Sequence, residues 1–175
     1  MISKIKSSGT AKRLIALATA SLAMVGGSLV VAQPASAASW QGELWTYQTG
    51  LCLDGSGGAG PGSAVIQWEC NGGSNQWWYS SWDSKGRPRI VNSRNNLCLD
   101  RHDDTRLGAQ LILWHCNDTW NQVFAYGGGV NTIVNTPLNQ VVDVPRGTGE
   151  WGARPIMWEP NGGDNQLWQL HGWGG

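Results

Sequence analysis

The chain carries three sets of residues that could bind a polar ligand, each with a carboxylate, a tryptophan and side-chain amides. The carboxylates end the segments Leu51-Cys52-Leu53-Asp54, Leu97-Cys98-Leu99-Asp100 and Gln140-Val141-Val142-Asp143. Three tryptophans follow, each opening a block that ends in Asn-Gln, any residue and an aromatic: Trp68 to Trp78, Trp114 to Phe124 and Trp158 to Trp168. A carboxylate accepts charge-assisted hydrogen bonds from hydroxyl groups, and tryptophan offers a flat apolar face.

The three blocks recur at a nearly fixed period. Trp68 and Trp114 are 46 residues apart, and Trp114 and Trp158 are 44 apart. A period of this length is the sequence signature of a repeat architecture, in which neighbouring units share one core. We therefore predict three tandem repeats at about 42–84, 85–128 and 129–173.

The N-terminal stretch has the pattern of a secretory signal peptide. Residues 1–13 contain four basic and no acidic residues, residues 14–31 are apolar, and Ala35-Ser36-Ala37 has the small-x-small form of a cleavage site. An uncleaved membrane anchor is the alternative. We predict cleavage after Ala37, a secreted protein of residues 38–175, and no membrane insertion after cleavage.

Charge and aromatic content narrow the partners of this secreted part. It holds all 12 acidic residues but only eight of the 12 basic ones, which disfavours nucleic acid or an anionic membrane as partner. All 12 tryptophans lie in it as well. We expect Trp78 and Trp168 in the core; the surplus predicts exposed aromatic surface, which suits sugar rings.

The four cysteines occupy matched positions in the first two repeats. Cys52 and Cys70 are 18 residues apart, as are Cys98 and Cys116. Four cysteines allow three pairings, and repeat equivalence selects Cys52–Cys70 and Cys98–Cys116 in an oxidising compartment. A zinc site is disfavoured because no Cys-x-x-Cys spacing occurs and the histidines are scattered.

Short apolar runs separated by Gly, Asn, Asp and Pro predict an all-β fold. Each repeat offers about four such runs, the last containing the Asn-Gln-x-aromatic sequence, after a short leader at residues 38–41. No segment of the secreted part keeps a helical period over three turns. Three units of four strands predict a closed structure with pseudo-three-fold symmetry.

The motifs resemble those of the ricin B-type lectins. Gln76-Trp77-Trp78, Gln122-Val123-Phe124 and Gln166-Leu167-Trp168 match the Gln-x-Trp motif of that family, and the Cys-Leu-Asp element fits it too. The family includes the family 13 carbohydrate-binding modules of secreted bacterial enzymes. The resemblance covers nearly all of residues 38–175 and implies a β-trefoil lectin domain.

The resemblance also implies one shallow sugar pocket per repeat, with a carboxylate, a stacking aromatic and an asparagine. By position these are Asp54, Trp68 and Asn75 in the first repeat, Asp100, Trp114 and Asn121 in the second, and Asp143, Trp158 and Asn165 in the third. Gln76, Gln122 and Gln166 are expected to support the pockets through amide hydrogen bonds to the backbone. The alternative is that the tryptophans face inward and the aspartates only cap turns.

The pockets depart from the family pattern at one position in every repeat. Ile66, Ile112 and Ile156 stand where the family often has a glutamine that contacts the sugar. Loss of this amide predicts weaker binding or a changed specificity, so a preference for galactose is not inferred from the resemblance. The third repeat departs further, since it has Val141 and Pro160 in place of the cysteines.

Other motifs carry little weight. The glycine-rich run at 55–60 matches a dinucleotide fingerprint, but Pro61-Gly62 and a strand follow it instead of a helix. Asn117-Asp118-Thr119 is a glycosylation sequon, which we expect to be unused. His102, His115 and His171 lie at unrelated repeat positions, and His102 is expected in a solvated loop. No nucleophile motif is recognisable, so we predict no enzymatic activity.

The sequence thus favours a secreted lectin or free-standing carbohydrate-binding module that binds polysaccharide or cell-surface glycan, without metal or cofactor. The sugar and the oligomeric state stay open. A β-trefoil that binds protein through its loops, such as a protease inhibitor, is the alternative, because the loops at 55–62, 103–107 and 146–152 differ completely. A glycosidase is a third interpretation, although its carboxylate pair would be asymmetric.

Overall fold

The computed structural model describes residues 39–102, 104–127 and 129–174; the predicted signal peptide lies outside them. Twelve strands follow in order: β1 (Trp40–Thr46), β2 (Cys52–Asp54), β3 (Ile66–Trp68), β4 (Trp77–Trp82), β5 (Pro88–Asn92), β6 (Cys98–Asp100), β7 (Ile112–Trp114), β8 (Phe124–Gly127), β9 (Thr132–Asn135), β10 (Gln140–Asp143), β11 (Ile156–Trp158) and β12 (Trp168–Gly174). The only helical segments in these ranges are 3₁₀ turns of three residues. The all-β prediction is confirmed.

The strands divide into a barrel and three short hairpins. Strands β12, β1, β4 and β5 pair in that order, and β8 pairs with β9. The backbone N–H of Trp168 donates to the carbonyl of Asn131 at 2.7 Å, which joins the third repeat's last strand to its first turn. The hairpins are β2–β3, β6–β7 and β10–β11, one per repeat. This arrangement is the β-trefoil.

One hydrophobic core is shared by all three repeats. Equivalent side chains from each repeat are buried in it: Leu44, Ile90 and Ile133; Leu53, Leu99 and Val142; Trp78, Phe124 and Trp168. The indole N–H groups of Trp78 and Trp168 donate to the carbonyls of Leu53 and Val142 at 2.9 and 3.0 Å. A tryptophan can be fully buried here because its single polar atom is satisfied.

Both predicted disulfides are present. Cys52 bonds Cys70 and Cys98 bonds Cys116, each tying the second strand of a repeat to the turn after its third strand. Val141 is buried at the matching place in the third repeat. Val141 therefore makes apolar contacts where the other repeats have the first cysteine of a disulfide. Pro160, which stands in place of the second cysteine, is exposed.

Two local predictions were wrong. Trp40 and Gln41, expected in a leader, belong to β1 and pair with the C-terminal end of β12. The Asn-Gln pairs, expected in a strand, lie in turns that precede β4, β8 and β12; in the second and third repeats these turns are 3₁₀. Side-chain hydrogen bonds of the amides hold the turns, so the pairs are not in a strand ladder.

Within the described residues, no helix is long and apolar enough to cross a membrane.

Candidate functional site

Each hairpin places its aspartate and its tryptophan on one face. In the first repeat Cys52 pairs with Trp68 and Asp54 with Ile66, and the second and third hairpins repeat this register. Opposed residues in an antiparallel pair share a face, and alternate residues along a strand do too. The carboxylate, the isoleucine and the tryptophan therefore lie on one face, while Leu53 and Gln67 point the other way.

In each of the three sites a buried glutamine holds the aspartate in the same position. The Nε2 atoms of Gln76, Gln122 and Gln166 donate to the Oδ2 atoms of Asp54, Asp100 and Asp143 at 2.8, 2.8 and 2.7 Å. The same atoms donate to the carbonyls of Glu69, His115 and Glu159, and each Oε1 accepts the N–H of Asn71, Asn117 or Asn161. These bonds include the predicted bonds to backbone and add the carboxylate as a partner.

The asparagines differ among the repeats. Asn75 Nδ2 donates to Asp54 Oδ2 at 2.8 Å, and Asn121 Nδ2 donates to both carboxylate oxygens of Asp100 at 2.9 Å. In the third repeat the amide of Asn165 donates instead to the carbonyl of Val144 at 3.1 Å. The structure thus brings each predicted Asp and Asn together, with a direct amide–carboxylate bond in the first two repeats.

The three predicted stacking tryptophans face outward. Trp114 and Trp158 are 42% and 39% exposed, and Trp68 is half-buried. Asp54, Asp100 and Asp143 are buried beneath the Asn-Gln turns. The inward-facing alternative is therefore wrong for the tryptophans. The sites combine an accessible aromatic face with a carboxylate whose position is fixed by its amide partners.

The second repeat forms a concave cavity of about 420 Å³. Its lining comes from both strands of the hairpin and from the Asn-Gln turn: Asp100, His102, Ile112, Trp114, Asn117, Thr119, Trp120 and Asn121. Ile112 contributes an apolar wall between the carboxylate and Trp114. A cavity with one aromatic wall, one carboxylate and several amide or hydroxyl groups can hold a ring that is apolar on one side and hydroxylated at its edge.

Four residues that line this cavity were not among the predicted site residues: His102, Asn117, Thr119 and Trp120. His102 lies in an exposed turn, as predicted, and it also lines the cavity; its backbone N–H donates to Asp100 Oδ1 at 2.6 Å. Trp120 stands in the repeated block, but Ser74 and Asp164 occupy its place in the other repeats, so repeat symmetry did not select it. The buried Arg101 guanidinium lies 5.4 Å from the Trp120 ring centroid and holds that ring through a cation–π contact.

The carboxylate of the third repeat has a perturbed acidity. Burial raises the pKa of Asp143 above its ordinary value of 3.8, and the side-chain amides of Gln166 and, to a smaller extent, Asn165 offset part of that rise. Buried charge without enough donors favours the protonated form.

The fold and these three sites define a small domain of the lectin class. The family model of the ricin-type beta-trefoil lectin domain matches residues 40–168, and the chain belongs to that family. Membership supports a carbohydrate-binding role and points to a non-enzymatic binding domain. No curated protein matches the chain by sequence.

Solved structures share the fold. The designed three-fold symmetric protein ThreeFoil is 27% identical with a TM-score of 0.68, over 74% of this chain and 96% of that one. The exo-beta-1,3-galactanase 1,3Gal43A from Clostridium thermocellum is 28% identical with a TM-score of 0.68, over 76% of this chain but only 30% of that enzyme. The earthworm R-type lectin C-half, solved in complex with GalNAc, is 24% identical with a TM-score of 0.64, over 76% of this chain and 98% of that one.

Proposed function

We propose that the protein is a secreted, non-enzymatic lectin with one shallow sugar site in each repeat. One observation carries the proposal: three equivalent hairpins each present an outward tryptophan beside a carboxylate that a buried glutamine holds in place. The carboxylate accepts hydrogen bonds from sugar hydroxyls, and the indole face covers the apolar side of the ring. GalNAc, bound in the structure of the earthworm R-type lectin C-half, and 6'-sialyllactose, bound by a mutant of the earthworm lectin C-terminal domain, are starting probes for this chain.

Three sites on one rigid body suit a multivalent ligand. Each site is open and offers few polar contacts, so we expect weak binding of a single sugar. A polysaccharide or a cell-surface glycan would engage several sites together, and the second contact is then intramolecular. Secretion fits the same proposal, because both disulfides require an oxidising compartment.

The combined substitution Trp68→Ala, Trp114→Ala and Trp158→Ala tests the proposal. Loss of one stacking face should weaken each site about tenfold, and loss of all three should lower binding to a glycan array by about a hundredfold or more, because avidity is lost too. Alanine at the aspartates is a poorer test, since their buried carboxylates also accept the glutamine amides and their loss would disturb the turns.

Tyr47→Ala is the matched control, because Tyr47 is an exposed aromatic residue outside the three hairpins. It should leave glycan binding unchanged, and circular dichroism should show all variants folded. Protein for the array is recovered from the culture medium after expression with its own N-terminus, and its mass should correspond to Ala38 as first residue. Unchanged binding by the folded triple variant would contradict the lectin proposal.

The raised pKa of Asp143 predicts that ligand binding at the third site depends on pH. In the variant Trp68→Ala, Trp114→Ala only the third site keeps its tryptophan, and its binding should decline on acidification with a midpoint above 3.8. Protonation removes the charged acceptor. Because the folded-state pKa exceeds the unfolded-state value, the folded protein takes up this proton first, and the group's own contribution to stability increases as the pH falls.

Binding titrations over pH, paired with thermal unfolding at each pH, measure this effect. Carrying Asp143→Asn in the same background removes the titrating group and should flatten the binding profile. A profile that is the same with and without the carboxylate would show that Asp143 does not accept from the sugar.

A further inference from the structure

The loop between the second and third strands of each repeat docks on the tryptophan strand of another repeat. In the third repeat, Gly152 N–H donates to the Gln67 carbonyl at 2.9 Å, and Gln67 N–H donates to the Ala153 carbonyl at 2.8 Å. The same pair of bonds joins Gly62 and Ser63 to Leu113, and Gly108 and Ala109 to Met157. Each loop therefore lies beside a stacking tryptophan that belongs to a different repeat.

The residue before the docking glycine occupies the same place in all three loops. Gly62, Gly108 and Gly152 have φ angles of 87°, 85° and 83°, so the backbone turns alike at each. A β-carbon on Gly152 would lie 3.7 Å from Cζ3 of Trp68, and one on Gly62 would lie 3.6 Å from Cζ3 of Trp114. The preceding residues are Pro61, Leu107 and Trp151. Of these three loop residues only Trp151, which lies beside the first repeat's tryptophan, is aromatic.

Trp151 and Trp68 form one continuous aromatic surface. Their ring centroids are 5.4 Å apart and the ring planes are tilted by 48°. Trp151 remains 55% exposed although it contacts Trp68. A single exposed apolar residue is ordinary on a protein surface, but two touching indoles beside a carboxylate make a face wider than one sugar ring needs.

The third loop is also held by a buried side chain of the strand on which it docks. The side chain of Gln67, which is fully buried, donates through Nε2 to the carbonyls of Thr148 at 2.5 Å and Glu150 at 3.0 Å. Leu113 and Met157 stand at this position in the other repeats and cannot make such bonds. The loop that carries Trp151 is fixed before a ligand arrives, which reduces the entropy lost on binding.

We propose that Trp151 is a second sugar-binding aromatic and that the first repeat's site accepts at least two consecutive rings of an oligosaccharide. The inference rests on the proposed lectin function and gives one site a chain-length preference. Trp68 receives the ring that contacts the Asp54 network, and Trp151 receives a neighbouring ring of the same chain. The composite site needs the third repeat to complete the first.

Chain-length selectivity tests the proposal. In the background Trp114→Ala, Trp158→Ala, which leaves the first site, calorimetry measures binding of gluco-, xylo-, manno- and galacto-oligosaccharides of one to six residues. Trp151→Leu places there the residue that the second repeat carries naturally. It should weaken binding of the longer chains about tenfold and leave the monosaccharide within about twofold. Trp151→Phe, which keeps an aromatic face, should restore most of the loss.

A control in the second repeat separates the aromatic face from the loop. Leu107→Ala, measured in the background Trp68→Ala, Trp114→Ala that leaves the third site, should not change chain-length preference. A loss there equal to that of Trp151→Leu would overturn the proposal, because it would assign the effect to loop contacts in general.

The results that would contradict the second-ring proposal differ from those that would contradict the lectin proposal. Equal weakening of monosaccharide and oligosaccharides by Trp151→Leu, or no change in either, overturns the second-ring proposal while the first site still binds sugar. A background variant that binds no sugar of any length, when the unmodified protein does, shows that the first repeat is not a sugar site and overturns both at that repeat. Absence of binding by the unmodified protein overturns the lectin proposal as a whole.

Discussion

Trp168→Ala should lower the free energy of unfolding by about 3–5 kcal/mol. The indole is fully buried, and its N–H donates to the carbonyl of Val142 at 3.0 Å. Truncation leaves a large cavity and an unpaired backbone acceptor in the shared core. Urea unfolding followed by circular dichroism measures the change, and the melting temperature should fall by more than about 10 °C.

Two further variants serve as controls for this loss of stability. Trp168→Phe supplies the residue that stands at the equivalent place in the second repeat, Phe124, and should cost only about 1–3 kcal/mol because most of the ring volume is kept. Trp151→Ala removes an exposed indole and should cost less than about 1 kcal/mol. A Trp168→Ala protein as stable as the Trp151→Ala protein would show that the core does not depend on this ring.

Gln122→Glu should destabilise the protein at neutral pH by about 3 kcal/mol. The substitution keeps the shape of the side chain but replaces an amide that donates to Asp100 at 2.8 Å with a second carboxylate. Two buried carboxylates this close cannot both ionise cheaply, so at neutral pH the folded protein must keep a proton on the pair or hold two adjacent charges, and either costs about 3 kcal/mol. Both groups ionise freely in the unfolded chain.

The sign of the pH dependence distinguishes repulsion from poor fit. Because the pair's folded-state pKa is raised, the folded protein binds an extra proton, and stability should recover as the pH falls from about 8 to 5. Thermal unfolding across that range measures it. Gln41→Glu, at an exposed position of β1, is the matched control and should show little effect. A loss in Gln122→Glu that did not vary with pH would show that repulsion between the carboxylates is not its cause.

Much of the candidate site could be predicted because the repeats are compared within one chain. Any single aspartate, such as Asp100, could cap a turn, but three aspartates with tryptophans and asparagines at matched offsets indicate a shared role. The cysteine pairing followed in the same way. The Asn-Gln turns could not be predicted from the local pattern. The glutamine amides that hold them bond backbone groups five and seven residues away, and the order of residues does not show such bonds.

Residues that break the symmetry could not be found by comparing repeats. His102 and Trp120 line the second cavity, and Trp151 extends the first site, yet each stands where the other repeats have unrelated residues. Their contacts join segments that are distant in sequence: Trp151 meets Trp68 across the boundary between the third and first repeats.

The sequence by itself determined the repeat number, the all-β fold, the disulfide pairs and the residues that recur in each hairpin. These follow from periodicity and from alternation along short strands, which are local properties of the chain. Only the tertiary structure decided that the tryptophans face outward, that the aspartates are buried under glutamine amides, and that one loop adds Trp151 to another repeat's site. These features depend on closure of the barrel, because closure sets which repeat's loop lies against which hairpin. The spacing of residues within one repeat does not contain that information.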